Sequence, residues 1–316
     1  NYLLFVTCIK CTRGEMDYYF RAIECAKDIS YASSANTRLS KVFIGFIENL
    51  LGRRKLINRA IRYAQYSIYA SDFWTFFIEA FGLKIKLVKG SLDSIPKSGP
   101  LIIVSNHPFG VLDGLILGKI LADTRPDFRI LAHKIFEGVE ELDAVILPVN
   151  FEGSRSANQQ NIKIRQDALA FLKNGGAIGV FPAGTVSTAS RKGAPVSDTI
   201  WRNFTAKLIK KTDVKVVPIL FLGSNSQIFQ WVSRLSYTLR SAMFINEFKR
   251  KIDNTVEIVI GEPLDREKIL EFGVNSAAIM EGLRSATYAL SPYSETVPDY
   301  GYEFEGRYKG KLRGKK

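Results

Sequence analysis

The chain reads as an α/β protein: a mostly parallel sheet flanked by helices, with an N-terminal amphipathic helical element ahead of it. Three observations predict this. Short β-branched runs at 101–104, 177–181 and 214–222 are apolar without alternation, the pattern of strands covered on both faces. Stretches with apolar residues at helical spacing lie between them, which is the alternation that builds parallel sheets. Gly, Pro and Asn bracket the runs, as in Gly99-Pro100 and Asn106-His107-Pro108, so strand and helix are separated by tight turns.

At 316 residues the chain is long enough to bury a sizeable core. Its net charge of +13 is peripheral. Residues 37–66 carry seven Lys or Arg against one Glu, and residues 301–316 carry six against two. Such ends suit an anionic membrane surface and would also suit nucleic acid, although with the motifs below no nucleic-acid partner is expected. No run of about 18 uncharged apolar residues occurs, so no membrane span is predicted.

Residues 1–36 show no sustained period and read as an N-terminal arm, with Met16 the expected start. Cys8, Cys11 and Cys25 are three thiols without an adjacent His where a structural zinc needs four ligands, so no metal site is expected. Residues 37–82 form the amphipathic element, read as membrane-facing. Leu39, Val42, Phe43, Phe46, Ile47, Leu50 and Leu51 make one apolar stripe that Gly52 ends. A second helix bears Ile57, Ala60, Ile61, Ala64 and Ile68, and an aromatic third runs from Ser71 to Gly82. These faces either pack on the core or lie in a bilayer interface.

Residues 83–290 form the α/β domain. Residues 84–89 alternate as an edge strand does. After the strand at 101–104 a helix begins beyond Gly110, and further strands fall at 128–132 and 145–149. The polar stretch 150–161 reads as a turn-like loop containing Arg155, followed by a helix from Ile162 to Asn174. Beyond the strand at 177–181, Ser197-Asp198 is expected to cap a helix reaching Lys211. A strand at 214–222, one long helical region through Leu239, a strand at 256–261 and helix over 265–290 complete the domain. Residues 291–316, rich in Gly, Tyr and Lys, read as a basic flexible tail.

The chemistry gathers at two strand ends. His107 stands at the carboxyl end of the 101–104 strand, and Asp113 lies in the first turn of the next helix, within reach of the ring. A carboxylate on one imidazole nitrogen fixes the tautomer and makes the other a better base, as deprotonating an alcohol requires. A strand-end His capped by a helix-start Asp would show the same spacing. The second strand, 177–181, ends in Phe181-Pro182-Ala183-Gly184-Thr185-Val186-Ser187, a tight turn whose hydroxyls and backbone N–H groups can hold an oxyanion or phosphate. His133 has no Asp at comparable spacing and reads as a strand-end residue. Arg191 and Lys192 lie just past the turn and can bring positive charge to it.

These two turns resemble those of the glycerolipid acyltransferase family, the lysophosphatidate type, and most closely its hemolysin-like lysophospholipid acyltransferase branch. Residues 83–262 carry the likeness, including Val216-Val217-Pro218-Ile219 and Asn225-Ser226-Gln227-Ile228-Phe229-Gln230. Two positions depart from the family pattern. Five residues rather than four separate His107 from Asp113, an insertion Gly110 can absorb at positive φ. Phe-Pro-Glu-Gly-Thr-Arg here reads Phe-Pro-Ala-Gly-Thr-Val, without its carboxylate and guanidinium.

The resemblance implies His107 and Asp113 as the catalytic pair. It implies that Asn106, Gly110, Arg155, Phe181, Pro182, Gly184, Thr185 and Ser187 meet substrate, with N–H groups near Gly110 or Gly184 at the oxyanion. It further implies transfer of a fatty acyl chain from acyl-CoA or acyl carrier protein to the hydroxyl of a lysophospholipid, with no other cofactor, at the cytoplasmic face of the cell membrane. Loss of the turn arginine also admits an amino-acid-derived lysolipid, built on ornithine or glycine, as acceptor. No Gly-x-Ser-x-Gly elbow is present, so direct attack is expected rather than an acyl-enzyme. The reading from another class is a non-enzymatic basic protein that binds anionic lipid or nucleic acid.

Overall fold

The computed structural model describes residues 37–66, 72–133, 144–149, 155–294 and 296–304. Helices α1 (Arg38–Leu51), α2 (Arg53–Tyr66) and α3 (Phe73–Ala80) precede β1 (Lys84–Lys89) and β2 (Leu101–Ser105). Then follow α4 (Val111–Thr124), β3 (Phe128–His133), β4 (Ile146–Val149), α5 (Arg155–Lys173) and β5 (Ala177–Val180). A two-strand ribbon, β6 (Thr188–Ala189) and β7 (Val196–Ser197), leads to α6 (Phe204–Ile209), β8 (Lys215–Phe221), α7 (Gln227–Leu235) and α8 (Tyr237–Lys251). The order ends with β9 (Thr255–Ile260), α9 (Arg266–Leu270) and α10 (Ser276–Tyr288).

The main sheet has the order β1-β9-β8-β2-β5-β3-β4, and every pairing is parallel except β8 with β9. The unbroken apolar strands explain the layering. Leu101 and Ile103 face one cluster with α3 and α4, whereas Ile102 and Val104 face a second with α5, α6 and α10. Gly118 of α4 is required by close approach, since a Cβ there would lie 2.2 Å from the Trp74 ring. At the amino edge of the sheet, buried Arg125 donates to the carbonyls of Pro96, Gly99 and Gly175 and pairs with Asp127. It braces the end away from His107.

Several expectations are corrected. The helix α5 begins at Arg155, so 155–161 is not a loop. Its Arg, Ala and Gln residues favour helix without carrying an apolar period. Asp198 caps no helix: it lies between β7 and α6, whose N-cap is Asn203. The long helical region breaks at Ser236, whose hydroxyl caps α8. The tail is docked as far as Phe304: Arg202 pairs with buried Glu303, and the Gly301 N–H donates to the Asp198 carbonyl. The N-terminal arm at 1–36, Ile68, residues 150–154 of the expected loop and the tail beyond Phe304 lie outside the described residues.

The N-terminal helices divide. Trp74, Phe76 and Phe77 of α3 belong to the main core, and Arg59 of α2 pairs with Asp253, so this half is part of the domain. Helix α1, capped by Thr37 and ended by Gly52 at φ 116°, packs on α8 through Ile44 and Glu48. Its predicted stripe faces outward: Leu39 is 85% exposed, Val42 72% and Phe46 65%. Trp231 and Leu235 of α7, which also rests on α8, are exposed as well. Among the described residues no helix is long and apolar enough to cross a membrane.

Candidate active site

Strand β2 delivers His107 to the carboxyl edge of the sheet. Asn106 fixes the exit: its amide donates to the Phe221 carbonyl at 2.9 Å and accepts from the Phe221 N–H at 2.7 Å. Expected at the substrate, this side chain is instead spent on β8. Gly110 turns the chain at φ 85°, absorbing the longer gap, and α4 starts at the next residue. Asp113 therefore points back at the turn. Its Oδ2 accepts from His107 Nδ1 at 3.0 Å and from the Phe109 and Gly110 N–H groups at 2.8 and 3.0 Å. The Gly110 N–H, expected at an oxyanion, is taken by this carboxylate.

Asp113 is fully buried, and desolvation raises its pKa against the opposing pull of the His107 hydrogen bond and the two backbone donors. Oδ1 has no partner among the described residues. With Nδ1 turned to the carboxylate, Nε2 is the nitrogen left for chemistry. The imidazole is partly exposed and stacks on Phe181, centroid to centroid 4.2 Å at 22°.

Stacking brings the two predicted turns together, and the Ser187 N–H donates to the His107 carbonyl at 2.8 Å. Within the second turn the Gly184 N–H donates to the Phe181 carbonyl, so it too is engaged. Pro182 accepts from the Arg202 N–H. Thr185 and Ser187, expected to offer hydroxyls to substrate, have protein partners. The Thr185 Oγ1 accepts from Arg240, and the Ser187 hydroxyl donates to Asp198 Oδ1 at 2.5 Å.

Two residues essential to this geometry escape a sequence reading. Asp198 is buried, and its Oδ1 also accepts the His107 backbone N–H at 3.2 Å while Oδ2 accepts the Trp201 indole at 2.8 Å. Desolvation raises its pKa, opposed first by the Ser187 hydrogen bond. His107 is thus held by one carboxylate on its ring and a second on its backbone. Arg240, buried on α8, donates to Thr185 Oγ1 at 3.0 Å and the Val186 carbonyl at 2.9 Å, under the Phe304 ring at 4.1 Å. The guanidinium missing from the turn's own sequence arrives in space from 54 residues downstream. Arg191 and Lys192 do not supply it: both are exposed in the β6–β7 connection. For Arg155 the structure establishes only its place at the start of α5. A long-range pairing of this kind leaves no local signal, although a lone Arg on an apolar-faced helix is a hint.

Among the described residues no group of three or more His, Cys, Asp or Glu is placed to hold a metal. The arrangement can take a proton at Nε2 and hold the resulting imidazolium against Asp113.

A family profile described as "Acyltransferase" matches residues 32–291. The lyso-glycine lipid O-acyltransferase of Phocaeicola vulgatus is 28% identical over 201 residues, 61% of this chain and 68% of that protein. The protein of the same description from Bacteroides thetaiotaomicron is 25% identical over 202 residues, 61% and 70% of the two chains. Among solved structures, the 1-acyl-sn-glycerophosphate acyltransferase of Thermotoga maritima aligns with a TM-score of 0.44 at 16% identity, over 78% of this chain and 86% of that one.

Proposed function

The chain belongs to the acyltransferase family, and from that premise we propose that it transfers a fatty acyl chain from a thioester donor, acyl-CoA or acyl carrier protein, to the hydroxyl of a lysolipid. The observation that carries this reading is the Nδ1 contact to Asp113, which leaves Nε2 as the base. Nε2 takes the hydroxyl proton as the oxygen attacks the thioester carbonyl carbon. The tetrahedral oxyanion collapses with loss of the C–S bond, and the imidazolium returns the proton to the departing thiolate, giving ester and thiol. Since the Gly110 and Gly184 N–H groups are engaged, the oxyanion falls to other amides of the second turn, such as those of Thr185 and Val186.

The acceptor is an amino-acid-derived lysolipid of the glycine type. Two lines support this: the described activity of the two bacterial relatives and a turn that reads Phe-Pro-Ala-Gly-Thr-Val, without its own arginine. A lysophosphatidate acceptor is the second reading, favoured by Arg240 at that turn. The exposed apolar residues of α1, flanked by Arg38, Lys41 and Arg53 to Lys55, seat the enzyme on an anionic membrane surface where such acceptors reside. That surface is the cytoplasmic face of the cell membrane, with peripheral or monotopic attachment. Family membership sets aside the non-enzymatic reading.

The test is a panel of lyso-glycine lipid, lyso-ornithine lipid and lysophosphatidate, each with labelled acyl-CoA and acyl carrier protein. Labelled diacyl product forms fastest from lyso-glycine lipid on this account. Fastest turnover of lysophosphatidate replaces the acceptor, and no product from any acceptor overturns the proposal.

A further inference from the structure

A polar cavity of about 280 Å³ opens at the same sheet edge as His107, on the flank away from the second turn. Ser224 and Ser226, past the end of β8, form one wall, and Asn254 and Thr255, at the start of β9, form another. Arg250 and Lys251, from the last turn of α8, project between them. Strand β9 lies two strands from β2, which puts the cavity about 10 Å from the His107 strand. Lys251 connects it more directly to the pair: its Nζ stands over the Phe109 ring at 4.1 Å, and the Phe109 N–H is one of the Asp113 donors.

The charges of this cavity are unevenly committed. Glu247, its one carboxylate, has both oxygens taken by Ser226, one by the N–H at 2.8 Å and the other by the hydroxyl at 2.6 Å. Neighbouring Lys249 is spent on the Leu51 carbonyl. Among the described residues Arg250 and Lys251 have no carboxylate within ion-pair distance. Burial lowers the Lys251 pKa, against the attraction of Asp113 and Glu247, as expected of an ammonium with little water and no bonded anion. Two free cations beside the Ser224 and Thr255 hydroxyls match the donors that a carboxylate or phosphate needs, the Ser226 hydroxyl being held by Glu247 and the Asn254 amide by the Arg250 and Ile252 carbonyls. The volume suits a headgroup rather than a chain.

We propose that this cavity is an anion subsite, in which Arg250 and Lys251 grip the carboxylate or phosphate of a substrate while His107 works on the reacting hydroxyl. The anion comes from the acceptor headgroup or from the phosphates of the donor. That assignment rests on the lysolipid acylation argued above, whereas the anion site itself does not.

Inorganic phosphate is the probe, titrated into the full chain while the backbone amides of Ser224, Ser226 and Thr255 are followed by NMR. Saturable shifts in the wild type, lost in Arg250→Gln/Lys251→Met, are expected. In steady state each single substitution raises one KM about tenfold with kcat within about twofold. A rise in acceptor KM assigns the headgroup, and a rise in donor KM assigns the donor phosphates. Arg250→Gln is the cleaner variant, since Lys251 alone stands over Phe109. Wild-type amides that ignore phosphate, or a double variant that keeps both KM values, overturn the site. Phosphate shifts without any acyl transfer support the site and sink only the function above.

Discussion

The turn after β2 and the turn after β5 lie against each other at one sheet edge, yet they are held in opposite ways. The first holds its catalytic carboxylate locally, although Asp198 and Ser187 also reach the His107 backbone. His107, Phe109, Gly110 and Asp113 make all three hydrogen bonds to the one carboxylate oxygen within seven residues of chain. The second is held from outside, by Asp198 on Ser187, Arg202 on Pro182 and Arg240 on Thr185 and Val186. The docked tail in turn holds those groups through Glu303 on Arg202 and Phe304 over Arg240. A base needs its tautomer fixed to a fraction of an ångström, which local geometry does well. The surface that faces the substrate is suspended from distant elements, where a support such as Arg240 can be replaced without touching the base, whereas Asp198 is shared by both turns.

Breaking the local turn has the largest effect. Asp113→Asn leaves the shape but turns an amide toward Nδ1, and kcat for acyl transfer falls about a hundredfold or more. A loss under threefold would deny the carboxylate its role. Asp198→Asn strikes the shared support: kcat falls about tenfold with KM little changed, because His107 shifts against Phe181 while the ring keeps its own carboxylate. A change confined to KM would place Asp198 with the substrate. Arg240→Lys loosens the second turn, whose Thr185 and Val186 amides meet the oxyanion on this account, so kcat falls about fivefold with acceptor KM raised by a similar factor, since a lysine lacks the planar group that lies under Phe304. A loss as large as that of Asp113→Asn would erase the contrast between the turns.

The two carboxylates also predict a pH dependence. Burial raises both pKa values, so each Asp binds a proton more readily in the folded chain than in the unfolded one. Their contribution to stability is fullest below the ordinary aspartate range and declines as pH rises through the folded-state values. Asp198→Asn flattens this decline in thermal melts, and an unchanged slope would contradict the assignment. The smallest catalytic effect belongs to α1. Replacing Leu39, Val42 and Phe46 with Ser leaves turnover of a short-chain soluble acceptor within about twofold but weakens sedimentation with anionic vesicles. Unchanged vesicle binding would move the membrane contact elsewhere.

The same contrast explains what a sequence discloses. The buried strands and the His107–Asp113 pair were legible because their cause is local: an unbroken apolar run, a positive-φ glycine and a carboxylate one turn into a helix. Asp198 was misread because Ser-Asp before an apolar stretch also signals a helix cap, and only the fold reveals that His107 and Ser187 claim its oxygens first. The tail read as flexible for want of a period, since Glu303 and Gly301 dock by polar bonds rather than by an apolar face. In α1 the periodicity identified a stripe but not its cover: Ile44 and Glu48, off that stripe, make the contact with α8.

All of this depends on the imidazole of His107 deprotonating the acceptor hydroxyl. The most direct measurement is ester formation from labelled acyl donor and lysolipid by His107→Ala, with circular dichroism and melting temperature matching the wild type. The account predicts a rate at least about a thousandfold lower, the upper range for losing a positioned base and its imidazolium. A folded variant that still forms diacyl product within about tenfold of the wild type would contradict it.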